Sequence, residues 1–75
     1  MTPAQCRAAR DLLQWSIGDL ARAAGVSVIT VRKFEGEQAG AAARASIALM
    51  RRALEGAGIR FGGHGNGTRL EPRTP

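Results

Sequence analysis

The twenty residues Ser16-Ile-Gly-Asp-Leu-Ala-Arg-Ala-Ala-Gly25-Val-Ser27-Val-Ile-Thr-Val-Arg-Lys-Phe-Glu35 decide the fold. Ser16 is an N-cap residue, and Asp19 three positions on is a short-armed capping-box partner for it. Leu20, Ala21 and Ala24 then share the inward face of a helix that stops at Gly25, a residue free to take positive φ. Barely two turns long, such a helix must be held by packing. Ser27 caps a second short helix, Val28 to about Glu35, on which Val28, Val31 and Phe34 share a face while Arg32 and Lys33 lie off it. Ala21 is small where the two helices cross, Val26 plugs the corner between them, and Gly36 ends the unit.

Outward from this core segment the chain stays helical. Thr2, Pro3 and Gln5 read as N-cap, first-turn proline and capping-box partner of a helix running to about Leu13. Cys6, Ala9 and Leu13 form its stripe, with Cys6 as a small hydrophobe. Residues 37–43 are small and polar and contain Gly40. A fourth helix is expected from about Ala42 to Glu55 or Ala57, with Ile47, Met50 and Leu54 in one stripe, Leu49 and Ala53 widening it, and Arg44, Arg51 and Arg52 elsewhere. After Gly58 the pattern changes. Ile59-Arg-Phe61 and Thr68-Arg-Leu70-Glu alternate in strand fashion around Gly62-Gly-His-Gly-Asn-Gly67, and Pro72 and Pro75 follow. A lone hairpin is marginal in water, so these strands pack on the helices, join another subunit's strand, or stay disordered. The expected division is 1–58 for the helical domain and 59–75 for the strand segment and tail.

Length and charge narrow the functions open to the chain. With 75 residues it has room for one domain. A domain this small buries only about 60% of its unfolded surface, which favours oligomers and leaves little room for an internal active-site cavity. Eleven Lys and Arg against six Asp and Glu give a formal net charge of +5, and Lys33 is the only lysine. Arginine forks suit phosphates and guanine edges, so a polyanionic partner is expected: nucleic acid or an anionic membrane surface. The helices lack the broad apolar faces that a membrane-surface role needs. Cys6 alone can form neither an internal disulfide nor a cysteine-based zinc site. One His, one Cys and no nucleophile–base–acid set argue against an enzyme, and no cofactor or metal is expected; His64 reads as an exposed loop residue. No apolar run nears the ~20 residues of a membrane span, and the first residues read as a helix start rather than a signal pattern. The expected location is the cytoplasm.

The short-helix unit leaves Ser27, Val28, Ile29, Thr30, Arg32 and Lys33 at or near the projecting end of the third helix. A helix fits the major groove of DNA, and its N-terminal residues meet the base edges. The spacing Leu20-Ala21-x-x-x-Gly25-Val26-Ser27 with Val31-x-x-Phe34-Glu35 resembles the Cro/CI-like (Xre-type) family of bacterial and phage helix-turn-helix regulators, over roughly residues 4 to 57. The resemblance implies an all-α, compact lambda-repressor-like domain of four, at most five, helices, to which the alternation after Gly58 adds a short C-terminal β-hairpin or strand. Its third helix would be the recognition helix. Family members usually bind as dimers and most often repress transcription.

The same resemblance places Arg10 and Glu35 where the family often carries a partly buried ion pair, and Trp15 at an apolar position between helices one and two. Two residues depart from the family pattern. Ile17 stands where glutamine commonly contacts phosphate, and Val28 and Ile29 stand where polar readers are frequent. Apolar side chains there meet thymine methyl groups, and hydrogen-bond readout shifts to Thr30, Arg32 and Lys33. Whether Val28 faces the groove or the core is open. Arg44 and Ser46, at the start of helix four, are phosphate-contact candidates, whereas Arg22, Arg51 and Arg52 read as a solvated face. The expected function is a homodimeric repressor on double-stranded DNA, reading a palindromic operator with recognition helices about 34 Å apart. Ile59–Gly62 and Thr68–Glu71 are candidates to join across the two-fold axis. The alternative is an antitoxin or anti-activator acting through a protein partner, gripped by helix four or the hairpin.

Overall fold

The first three helices each begin where a hydroxyl side chain accepts a backbone amide that the helix itself leaves unpaired. In the computed structural model, which describes residues 1–36, 43–62 and 68–70, Thr2 Oγ1 accepts from the Gln5 amide at 3.1 Å and Gln5 Oε1 from the Thr2 amide at 2.8 Å. This box opens α1, Pro3–Leu13. Ser16 and Asp19 form the same reciprocal pair at 3.0 and 2.9 Å and open α2, Ile17–Ala24. The hydrogen bonds from Ser16 hold the Asp19 carboxyl below the ordinary carboxylate value. Ser27 Oγ accepts from the Thr30 amide at 3.1 Å and opens α3, Val28–Glu35. Ala43, at the N-cap of α4, Arg44–Gly56, has no side chain able to do this.

Two left-handed residues turn the chain between the first helices: Gln14 at φ 58° and Gly25 at φ 71°. A Cβ on Gly25 would meet nothing within 4 Å, so the glycine answers to backbone conformation and not to crowding. The Val26 amide then donates to the Ala21 carbonyl at 3.0 Å, closing the tight corner. Gly58, at φ 108°, leads from α4 into β1, Ile59–Arg60. That strand pairs antiparallel with β2, Arg69–Leu70, in the register Ile59 to Leu70 and Arg60 to Arg69.

The core takes Cys6 and Ala9 from α1, Leu20, Ala21 and Ala24 from α2, Val31 and Phe34 from α3, Met50 and Leu54 from α4, and Ile59 from β1. α2 is central and packs on both α3 and α4, while α1 lies against α3 and β2. Among the described residues the result is a small, mostly helical globule of four helices and a short two-stranded sheet. Of the three fates open to the C-terminal strands, their described residues pair within one chain and Ile59 is buried in the core.

One sequence expectation needs correcting. Leu49 does not widen the buried stripe of α4; it is exposed, and only Met50 and Leu54 are fully enclosed, with Ile47 and Ala53 at the margin. Trp15 is half-buried and packs against the core, in keeping with an apolar position between α1 and α2. Helix four starts at Arg44; the expected first residue Ala42, the glycine-rich His64 loop and the Glu71–Pro75 tail lie outside the described residues. No helix among the described residues is long and apolar enough to cross a membrane.

Candidate nucleic-acid interface

Burial divides α3 into two faces. Val31, Phe34 and Glu35 are buried, whereas Val28 is 40% and Ile29 64% exposed, and Ser27, Arg32 and Lys33 are exposed. The Val28 orientation is therefore outward: its place on the apolar stripe does not bring it into the core. Residues four apart on a helix stack on one face, so Val28 lies above Arg32 and Ile29 above Lys33. An apolar first turn is thus followed by a cationic second turn, on a helix about 12 Å long.

The hydroxyl groups at this tip are largely occupied. Ser27 Oγ accepts the Thr30 amide and also hydrogen-bonds Thr30 Oγ1 at 2.8 Å. Of the two hydroxyl protons, one is consumed between them. Arg32 and Lys33, by contrast, form no ion pair with another described residue. Arg22 is held by Asp19 at 2.6 Å, and Arg51 by Glu55 at 3.3 Å while lying 5.4 Å from the Phe61 ring centroid. The expectation that Arg22 and Arg51 are solvated holds for their exposure, but both carry a carboxylate partner.

The C-terminal half of α3 is locked to α1. Arg10 Nε donates to Glu35 Oε2 and Arg10 Nη2 to Glu35 Oε1, both at 2.7 Å, a two-pronged pair of the kind only a guanidinium makes. Arg10 Nη1 also donates to the Trp15 carbonyl at 3.0 Å, and Arg7 Nη1 donates to the Glu35 carbonyl. Cys6 Sγ supplies a third donor to the carboxylate, at 3.2 Å from Oε2. Every buried side-chain nitrogen and oxygen among the described residues has a partner. The Glu35 hydrogen bonds push the Arg10 guanidinium up from its ordinary value. Burial first, and the neighbouring Glu35 second, push the Cys6 thiol up to about 12.

The sequence reading found Arg10 and Glu35 but missed Cys6 and Arg7 as members of this cluster. The available signal was local: Cys6 precedes Arg10 by four residues and Arg7 precedes it by three, which puts all three on one side of α1. Arg44 is exposed and Ser46 half-buried on the first turn of α4, which packs on α2 and β1. No hydrogen bond or ion pair joins them to Ser27–Lys33, so the structure brings the α3 group together and holds the α4 pair on a separate element. Among the described residues no group of three or more His, Cys, Asp or Glu is placed to hold a metal ion. No protein-family model matches the chain, and no curated protein or solved structure is significantly similar to it.

Proposed function

We propose that this protein is a cytoplasmic, sequence-specific DNA-binding regulator with a lambda-repressor-like helix-turn-helix fold, without catalytic activity. It binds as a homodimer and sets the N-terminal half of α3 into the major groove. The observation that carries the reading is the division of α3: Val31, Phe34 and Glu35 are buried and clamped, while Val28, Ile29, Arg32 and Lys33 stand exposed with both cations free of described partners. A net charge of +5 supplies the attraction to phosphates that dominates DNA affinity. Arg44 and Ser46 serve as backbone contacts flanking the reader. Ile17 packs on the core, so the phosphate contact that glutamine makes in the family falls to other groups.

Selection from a random duplex library tests this. Wild-type protein enriches an inverted repeat with half-site centres about one helical turn apart, and binding falls steeply with added salt. Arg32→Ala weakens the enriched duplex by about 1–3 kcal/mol where Arg32 meets a base. Absence of any enriched duplex contradicts the reading. Exposed Leu12, Leu49 and Leu70 favour a second reading, an antitoxin or anti-activator that grips a protein partner; a protein complex insensitive to salt, with no DNA binding, supports that one.

A further inference from the structure

We infer that the α3 tip discriminates its DNA target through thymine 5-methyl groups, met by Val28 and Ile29 on neighbouring base pairs. The inference rests on the DNA-binding reading above and names what that site selects. Ile29, at 64%, is the most exposed of the large apolar side chains outside the core, and Val28 beside it is 40% exposed. Neither fills the interior, and both are β-branched, so little side-chain freedom remains to be lost on contact.

The polar groups of the same turn are committed elsewhere. Ser27 Oγ accepts the Thr30 amide at the helix cap, and one of the two hydroxyl protons is spent between Ser27 and Thr30, which leaves apolar contact as the main reading surface of the first turn. In the major groove the thymine methyl is the distinctive apolar feature among the base-pair edges. Successive helical residues point about 100° apart, so Val28 and Ile29 reach adjacent base pairs rather than one. Arg32 and Lys33, one turn below, surround the apolar pair with positive charge. That charge repels a second copy of the same tip and attracts a polyanion, which favours DNA over self-association as the occupant.

The test uses the full chain and the duplex enriched from the random library. Each thymine is replaced singly by deoxyuridine, which deletes the methyl and leaves base pairing intact. Loss of one buried methyl weakens binding about fourfold at one or two positions in each half-site. Ile29→Ala and Val28→Ala bind the thymine duplex more weakly, and each ceases to distinguish thymine from uracil at its own position. Both side chains are exposed, and unchanged circular-dichroism melting verifies that the variants fold. If every deoxyuridine duplex binds within about 1.5-fold of the parent, using the methyl-deletion value above as the yardstick, methyl readout is overturned while DNA recognition stands. Failure to enrich any duplex overturns the DNA reading and the methyl inference together.

Discussion

Cys6 shows how one side chain can pass for a hydrophobe and still serve as a donor. It is fully buried among apolar residues, as its place on the α1 stripe implies, yet its thiol reaches Glu35 Oε2 at 3.2 Å. Its spacing of four from Arg10 puts it on the same side of α1, but the acceptor itself, Glu35, lies 29 residues away. Burial and the adjacent carboxylate raise the thiol from 9.0 to about 12, so folding favours the protonated form. The resulting stability is complete below about pH 9 and is lost as pH climbs through about 12. Thermal melts of the wild type should therefore fall progressively over that window, and Cys6→Ala should flatten the decline whatever its starting stability. Parallel declines in the two proteins would remove Cys6 from the alkaline transition. The same raised thiol should resist alkylation by iodoacetamide in the folded protein.

At the scale of elements, the docking of α3 on α1 depends on the Arg10–Glu35 pair, whose side chains are only 14% and 6% exposed. Glu35→Gln leaves a nearly buried guanidinium without its counter-charge, and the expected loss is about 3–5 kcal/mol, a large share of the 5–15 kcal/mol typical of whole domains. Urea unfolding measures it. Arg10→Met combined with Glu35→Leu should recover most of that loss; a double variant as unstable as the single would contradict the pairing as its cause. The elements themselves were legible because their signals are local: Thr2 with Gln5, Ser16 with Asp19, and Gly25 each act within a few residues. Leu49 was misjudged for a related reason, and Val28 stayed open for the same one. Periodicity tells which side of a helix faces inward but not how far along the axis the neighbouring helix extends, so both lie on apolar stripes and remain exposed. Strand pairing depends on contact between distant segments, and the register of Ile59 with Leu70 had no counterpart in local pattern.

For the whole molecule, the relevant contrast is between a closed core and an exposed face of α3 that carries Val28, Ile29, Arg32 and Lys33. The globule measures 35 × 26 × 19 Å, and α3 is short enough to lie across a major groove about 12 Å wide. Charge alone left nucleic acid and membrane surfaces both open; the arrangement of α3, with apolar residues at the tip and, one turn below, two cations that pair with no other described residue, is what supports the DNA reading. Amide chemical-shift mapping tests this most directly, by titrating ¹⁵N-labelled protein with the library-enriched duplex. The largest changes are expected at Ser27 through Lys33, with smaller ones at Arg44 and Ser46 and little change at Cys6 and Ala9. Shifts confined to the outer face of α4 or to the β-strands, with Ser27–Lys33 unmoved, would contradict the placement of α3 in the groove.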